Sequence, residues 1–235
     1  YSLVSPDMSL CDECLSELED PQNRRHNYFF INCTNCGPRY SIVKTVPYDR
    51  PNTSMAPFIM CEECQREYDN PLNRRYHAQP ISCAKCGPTL ELKNINGEVV
   101  AYNQEAIEKI ATLINEGNIV AMKGMGGFHL MCDASCDKAV LELRKRKNRP
   151  TKPFAVMFPS IDAIFSECKI QEAEQKEIIS LLRPIVLLKR NKRASSISSF
   201  IAPHIDRLGV FLPYTPLHVM LFKYLHHPIV ATSAN

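Results

Sequence analysis

The chain has 235 residues, of which 45% are hydrophobic and 23% are charged, and its formal net charge is +3. This length predicts one or two domains with a substantial core, and the mild charge gives little support for nucleic-acid binding. No apolar stretch is long enough to cross a bilayer, and no secretory signal opens the chain. We therefore expect a cytoplasmic protein without a membrane partner. Because the chain does not start with Met, we expect it to be part of a longer protein.

Four Cys-x-x-Cys pairs dominate the first 90 residues, and the second two pairs repeat the first two at an offset of fifty residues. Paired knuckles of this kind are typical of tetrahedral zinc sites, and the absence of a secretory signal favours metal over disulfides. The sequence therefore predicts two structural Zn²⁺ sites. The predicted ligands are Cys11, Cys14, Cys33, Cys36, Cys61, Cys64, Cys83 and Cys86.

The pairing of the knuckles has two solutions. In the sequential one each repeat closes its own site, whereas a cross-braced one would join Cys11 and Cys14 to the knuckle at Cys61. We favour sequential pairing because each repeat is then complete by itself. His26 and His77 are alternative ligands, but they do not occupy equivalent positions in the repeat, so we interpret them as packing or surface residues.

The repeat extends beyond cysteine. Asp20–Arg25 recurs as Asn70–Arg75, and a Cys-Gly-Pro follows in both copies, which indicates a duplicated unit. The paired arginines at the end of each segment have three interpretations. They could contact phosphate, neutralise the charge of a zinc tetrathiolate, or lie in solvent.

Residues 1–90 are predicted to hold two zinc units, at about 5–45 and 55–92, and residues 91–235 to form an α/β domain. The domain is predicted to open with a hairpin at Glu91–Tyr102, and its strands and helices alternate. The predicted strands are 118–123, 153–158, 185–189 and 228–231. The predicted helices are 104–116, a helix capped by Ser135 and ending near 146, two short helices after 158, and 216–225. A Gly-rich loop is predicted at 124–127, and a polar, mobile loop at 195–199.

Two clusters in this domain could carry chemistry. The basic run at 144–152 is either a solvated helix end or a phosphate clamp in which Lys147, Arg149 and Lys152 converge from a loop. Thr232–Asn235 follows a strand, at the position where α/β sheets bind ligands. Neither cluster matches the Walker A or dinucleotide-binding motifs.

Together these motifs resemble the HypF family of hydrogenase maturation carbamoyltransferases. The tandem cysteine units are similar to the family's zinc-finger region. The segment Val120–Asp133 resembles the opening of its YrdC-like domain, a twisted mixed sheet with flanking helices. Lys147–Arg149 resembles the K-x-R motif, and Thr232–Asn235 resembles the S-x-N motif.

The resemblance implies that the YrdC-like domain joins carbamate, derived from carbamoyl phosphate, to ATP with Mg²⁺, giving carbamoyl-adenylate. Flanking domains of the full-length protein would make the carbamate and pass the carbamoyl group to a HypE-type acceptor cysteine. We do not expect this fragment to complete the overall reaction. The resemblance implies catalytic roles for Lys147 and Arg149. It implies nucleotide or substrate contacts for Lys123, Gly126, Gly127, His129, Lys152, Tyr214, Thr215, Thr232, Ser233 and Asn235.

Two other functions remain open at this point. The first is a threonylcarbamoyl-AMP synthase with added zinc units, although Lys123–Met125 replaces the Pro-Thr-Glu typical of those enzymes and favours a smaller acyl substrate. The second is an RNA-binding zinc module. It is disfavoured because zinc bound to eight thiolates would lower the net charge to about −1. The zinc region could also act as a scaffold for HypE or the flanking domains.

Overall fold

The computed structural model describes residues 4–191 and 195–234. The chain forms two compact units. The cysteine-rich unit comprises the described residues up to Ala106 together with Tyr214–Met220, and the sheet unit comprises Ile107–Pro213 and the described residues from Leu221 onward. Within the described ranges, no helix combines the length and apolarity that spanning a membrane requires.

The cysteine-rich unit contains two equivalent short helices, α1 at Asp12–Glu19 and α2 at Glu62–Asp69. Each helix begins directly after the first cysteine of a Cys-x-x-Cys pair, because Cys11 and Cys61 are the N-cap residues. Each has only 8 residues, and helices this short are not stable alone in water. Their stability must therefore come from tertiary contacts, which include the cysteine clusters that they adjoin.

The predicted hairpin at 91–102 is confirmed. Strand β1, Glu91–Lys93, pairs antiparallel with β2, Val99–Tyr102, and Gly97 adopts a φ of +83° in the turn between them. Helix α3, Asn103–Asn115, follows and matches the predicted helix to within one residue at each end. Gly117, with a φ of +81°, lies just beyond its end, as expected for a glycine that terminates a helix.

The sheet unit has seven strands in the order β3-β4-β9-β5-β8-β7-β6. The strands are β3 Val120–Gly124, β4 Gly127–Asp133, β5 Ala155–Met157, β6 Cys168–Lys169, β7 Val186–Arg190, β8 Arg207–Phe211 and β9 Ile229–Ser233. The remaining helices of the chain are α4 Asp137–Arg146, α5 Ile161–Glu167, α6 Glu172–Ile179 and α7 Pro216–Leu221. The pairing of β5 with β8 is parallel, and the other pairings are antiparallel. The predicted mixed α/β sheet is confirmed.

One buried apolar cluster joins this sheet to its helices. Val156, Val210 and Val230 of the central strands pack in it with Leu143 of α4 and Ile164 of α5. Because strand side chains alternate between faces, the opposite set of strand residues points away from this core.

Several sequence predictions differ from the structure. Strands β4, β6 and β8 were not predicted, and the expected loop at 124–127 is the tight turn that joins β3 to β4. Ser135 does not cap α4. Cys136 is the N-cap, and the Ser135 hydroxyl instead donates to Asp133 Oδ1 at 2.7 Å. Helix α7 ends at Leu221 rather than at Leu225.

The loop predicted to be mobile at 195–199 is held by partly buried hydrogen bonds. Ser196 donates to Glu167 Oε1 through its amide at 3.0 Å and its hydroxyl at 2.6 Å. Ser198 accepts from the Phe200 amide and starts a 3-10 turn at Ser199–Ile201. The serines therefore supply turn and capping contacts rather than a solvated linker.

Candidate functional site

The eight cysteines of the repeats form two separate clusters. One contains Cys11, Cys14, Cys33 and Cys36, and the other contains Cys61, Cys64, Cys83 and Cys86. Within each cluster the sulfur atoms all lie within 4.8 Å of one another. The knuckles therefore pair sequentially, as the repeat favoured.

The spacing of the sulfurs fits a tetrahedral metal site. The Sγ–Sγ distances are 3.7 Å for Cys11–Cys33 and for Cys33–Cys36. They are 3.7 Å for Cys61–Cys83 and 3.6 Å for Cys64–Cys86. A tetrahedron with Zn–S bonds of about 2.3 Å has edges of about 3.8 Å. The observed cysteines thus leave room for Zn²⁺ at the centre of each cluster.

Histidine takes no part in these clusters. Among the described residues, the groups that could hold a metal ion consist of cysteine alone. The His77 ring instead packs 4.8 Å from the ring centroid of Tyr68. The packing interpretation is therefore correct for His77. A tetrathiolate site also leaves no open position for a substrate.

The paired arginines of the second repeat contact the cysteines of the first. Arg74 Nη2 lies 3.1 Å from Cys14 Sγ, and Arg74 Nε donates to Glu17 Oε1 at 3.0 Å. Arg75 is buried, approaches the same sulfur at 4.0 Å, and also forms an ion pair with Glu17. Burial raises the pKa of Glu17, but Arg75 and Arg74 lower it more, so the net pKa is below its usual value.

The arrangement is repeated in the opposite direction. Arg24 Nη2 lies 3.1 Å from Cys64 Sγ and 3.4 Å from Cys61 Sγ, and Arg24 Nη1 donates to Glu67 Oε1 at 2.9 Å. Arg25 is buried, approaches Cys64 Sγ at 3.5 Å and pairs with Glu67. The arginines of each repeat therefore face the sulfurs of the other.

Backbone contacts follow the same exchange. Arg25 Nε donates to the Ser82 carbonyl at 2.9 Å, and Arg75 Nε donates to the Asn32 carbonyl at 3.0 Å. Each of these pairs is related to the other by the offset of fifty residues. We call Arg24, Arg25, Arg74 and Arg75 the reciprocal arginine clamp. These contacts favour charge neutralisation over the phosphate-binding interpretation of the four arginines.

A second set of predicted site residues lies at one end of the seven-stranded sheet. Lys147 follows α4, and its Nζ donates to the Ser233 carbonyl at 2.6 Å. Arg149 Nη1 donates to Thr232 Oγ1 at 3.3 Å. The basic loop therefore meets the C-terminal end of β9, which brings together two motifs that lie more than eighty residues apart.

The loop that carries these cations is shaped by Arg144 and Phe154, which sequence reasoning did not single out. Buried Arg144 donates to the carbonyls of Arg149, at 2.7 Å, and of Lys152, at 3.2 Å. The guanidinium carbons of Arg144 and Arg149 lie 4.7 Å and 4.8 Å from the Phe154 ring centroid. The aromatic ring thus orients Arg149 through cation–π contacts. The sequence feature that could have indicated this contact is the phenylalanine directly after the Lys-Pro pair at the end of the basic run.

The β3–β4 turn lies beside the same strand end. His129 and Ser233 are paired residues of β4 and β9, and the Ala234 amide donates to the Phe128 carbonyl at 2.9 Å. Gly126 has a φ of +81°, and a Cβ at Gly126 or Gly127 would meet no atom within 4 Å. The backbone of this turn is therefore open to a ligand. Burial lowers the pKa of His129, which favours its neutral form.

The other predicted residues are placed as follows. Lys123 is exposed on β3, with its Nζ 5.9 Å from the Phe128 ring centroid, and the side chain of Lys152 is also exposed. Tyr214 and Thr215 belong to the cysteine-rich unit, where the Tyr214 carbonyl accepts from the Leu10 amide at 3.1 Å. Asn235 lies outside the described residues.

Comparison with known families identifies both parts of the chain. The profile of the Sua5/YciO/YrdC family, described as telomere recombination, matches residues 112–235. The profile of the HypF finger matches twice, at residues 10–43 and 60–93. The two finger matches contain the two cysteine clusters.

Individual relatives agree with these profiles. Carbamoyltransferase HypF of Synechocystis sp. is 53% identical over 232 residues, which are 99% of this chain and 30% of that protein. The crystal structure of T. kodakarensis HypF matches all of this chain with a TM-score of 0.95 and 44% identity. A full-length HypF in a phosphate- and nucleotide-bound form matches 99% of it with a TM-score of 0.89 and 46% identity. In each case the chain spans about 30% of the relative's length.

Proposed function

Because the chain belongs to the Sua5/YciO/YrdC family, in the form that HypF proteins carry behind two HypF fingers, we propose that it is the carbamoyl-activating part of a HypF-type carbamoyltransferase. In this proposal the sheet unit binds ATP with Mg²⁺ and converts carbamate into carbamoyl-adenylate. The whole protein would act in the cytoplasm, in the maturation of [NiFe] hydrogenase. The observation that carries the proposal is the convergence of Lys147 and Arg149 on Thr232 and Ser233.

The chemistry requires neutralisation of phosphate charge and accurate placement more than it requires acid–base groups. A carbamate oxygen would form a bond to the α-phosphorus of ATP as the bond from that phosphorus to the bridging oxygen breaks, and pyrophosphate would leave with the bonding electrons. Lys147, Arg149 and Lys152 would hold the phosphates. Among the described residues no carboxylate pairs with Arg149 or Lys152, so an anionic ligand would meet little competition there.

The turn between β3 and β4 would hold the acyl group. Gly126 and Gly127 present open backbone, and Lys123 would stabilise the carbamate anion through its charge. Thr232 and Ser233, with Asn235 from the family resemblance, would fix the ribose or a phosphate, and neutral His129 would border the same strand end. Tyr214 and Thr215 would contact the nucleotide on the strength of the resemblance alone.

The two cysteine clusters are proposed to bind Zn²⁺ as structural ions. Four thiolates fill the coordination shell, so the metal would supply folding free energy rather than catalysis. The zinc units would connect or dock other parts of the protein, because the chain spans about 30% of its relatives. Flanking domains would form carbamate from carbamoyl phosphate and pass the carbamoyl group to a HypE-type acceptor protein.

Exchange of labelled pyrophosphate into ATP tests the adenylation step. In the full-length protein supplied with carbamoyl phosphate, Lys147→Ala and Arg149→Ala should each reduce exchange at least about 100-fold, because each removes a charged contact to the phosphates. Lys145→Ala is the matched control, since Lys145 is exposed on α4. Unchanged exchange in both variants would contradict the proposal.

The same assay separates the competing activity. A threonylcarbamoyl-AMP synthase would require threonine and bicarbonate for ATP turnover, whereas the proposed enzyme requires carbamoyl phosphate. Threonine-dependent turnover without carbamoyl phosphate would therefore replace the proposal with that alternative.

A further inference from the structure

We infer that the reciprocal arginine clamp couples the two zinc sites, so that each repeat controls how firmly the other repeat retains its metal. This inference rests on the proposed zinc binding and adds a thermodynamic link between the sites. It follows from the exchange of arginines between repeats, because the cysteines themselves pair within each repeat.

The first step of the argument concerns charge. A Zn²⁺ ion with four thiolates carries a net charge of about −2, and its sulfurs are strong hydrogen-bond acceptors. Cys14 and Cys64 are fully buried, and the guanidinium groups nearest to them come from the other repeat. A buried anionic centre is destabilised when it loses its cationic partners.

The second step concerns how the arginines are held. Arg24 and Arg25 lie between α1 and Cys33, inside the first repeat, and their backbone is fixed there by the turn that begins at Asp20. The Arg25 amide, for example, donates to Asn23 Oδ1 at 2.9 Å. Loss of metal from the first cluster would release the short helix and this turn, and would withdraw both guanidinium groups from Cys61 and Cys64.

The third step is symmetry. The same contacts run from Arg74 and Arg75 to the first cluster, with Glu17 in the place that Glu67 has at the second. Each site therefore depends on the other through equivalent groups, and the dependence is reciprocal, as a coupling free energy must be.

Site-resolved zinc release provides the test. The zinc-loaded chain is exposed to excess chelator, freed thiols are alkylated at timed intervals, and mass spectrometry separates peptides of the first cluster from those of the second. Arg24→Gln is the primary variant, because Arg24 is partly exposed, with 31% of its side chain accessible, and is less essential to packing than buried Arg25. We expect release from the second cluster to accelerate about tenfold, the effect of losing a charge-assisted hydrogen bond, and release from the first to change less.

Matched variants distinguish the clamp from general loosening. Arg74→Gln should produce the mirror result, with the larger acceleration at the first cluster. Arg24→Lys keeps the charge and should restore part of the retention. Arg66→Gln removes an exposed arginine of α2, from the second cluster's own repeat, and should change neither rate more than twofold.

Removal of a metal ligand tests the coupling directly. Cys33→Ser disables the first cluster without replacing a residue whose side chain contacts the second, and zinc release from the second cluster should become faster. The inference fails if Cys33→Ser leaves that rate unchanged. It also fails if Arg24→Gln acts only on the first cluster, acts equally on both, or acts on neither. A wild-type chain that retains no zinc would instead refute the metal assignment itself, and a count of about two zinc ions per chain would separate the two failures.

Discussion

In the cysteine-rich unit, the four arginines of the reciprocal arginine clamp face anions that the chain itself supplies, whereas Arg149 at the end of the seven-stranded sheet faces neutral oxygens. Arg25 and Arg75 are buried against sulfur and glutamate. Arg149 donates instead to carbonyl oxygens and to the Thr232 hydroxyl. A buried guanidinium group whose donors are satisfied stabilises structure, whereas the half-buried Arg149, which has no carboxylate partner among the described residues, can bind an anionic ligand.

The two units also differ in what holds them together. The sheet unit has a continuous apolar core, which includes Phe154, Phe158 and Val210. The apolar cluster of the second cysteine repeat has only Cys64, Ala78, Ile81 and Cys83 as buried members. Small cores of this kind require a metal or cross-links for stability. If the cysteine clusters bind zinc as proposed, the duplicated unit depends on metal for its stability, whereas the sheet unit depends on hydrophobic burial.

Metal removal should produce the largest difference in stability between the two units. Excess chelator at neutral pH, with a reductant present, should unfold residues 10–90 while the sheet unit remains folded, because structural zinc contributes about 10–16 kcal/mol to small metal-dependent folds. Hydrogen exchange followed by mass spectrometry measures both units in one sample. Peptides of the repeats should lose protection, and those of β5, β8 and β9 should keep it. Equal loss of protection in both units would contradict the proposal that metal stabilises the cysteine-rich unit and not the sheet unit.

The second test concerns Arg144, a buried arginine with a structural role in the sheet unit. Arg144→Gln should lower the free energy of unfolding by about 3 kcal/mol, because a buried side chain that satisfies the carbonyls of Phe200 and Ile201 is lost. Urea unfolding monitored by circular dichroism gives this value. Arg144→Gln should also weaken the proposed nucleotide binding, because the loop that carries Arg149 loses its support.

Arg146→Gln is the control for this experiment. Arg146 lies on the same helix, is exposed, and pairs only with Glu142 one turn away, and pairs of this kind contribute less than about 0.5 kcal/mol. If both variants lower the free energy of unfolding by the same amount, the Arg144 side chain does not stabilise the sheet unit through its buried hydrogen bonds.

The sequence predicted those features that depend on local spacing. The repeated Cys-x-x-Cys spacing predicted the eight ligands and two sites, and it favoured sequential pairing without excluding the cross-braced one. The contact between the basic loop and β9 could be expected only from the family resemblance. The arginine exchange could not be expected from either source, because it depends on how two copies of a unit pack against each other.

The missed strands have a similar explanation. Gly209 lies in the middle of β8, and a glycine there lowers strand propensity. In the folded sheet a larger residue would require Ile185 to shift, because a Cβ at Gly209 would lie 3.2 Å from Ile185 Cγ2. Strand β4 was missed because Gly127 and His129 interrupt its apolar pattern, although His129, Leu130 and Met131 pair with strands on both sides.

The smallest expected effect belongs to an ionisable contact of the sheet unit. His227 Nδ1 lies 3.2 Å from Asp133 Oδ1, and Nε2 lies 2.8 Å from Asn115 Oδ1. Since both ring nitrogens face oxygen atoms, the protonated imidazolium satisfies both contacts. The hydrogen bond to Asp133 raises the pKa of His227 above its usual value, although burial opposes the shift. A raised pKa in the folded state stabilises the protein below the unfolded value of about 6.5, and that contribution is lost as the pH rises through the folded pKa.

His227→Gln should therefore cost about 1 kcal/mol at pH 6 and progressively less as the pH approaches 8.5. The measured quantity is the difference in the free energy of unfolding between the variant and wild type at each pH, so any pH dependence of zinc retention cancels. His226→Gln is the matched control, because His226 is the exposed neighbouring residue, and its substitution should cost less than that of His227 at pH 6. A cost of His227→Gln that stays constant across this range would mean that the histidine acts through shape alone. A difference in unfolding free energy that grows with pH would mean that the fold stabilises the neutral form of His227. Stabilising charge contacts of this kind would then be confined to the cysteine-rich unit.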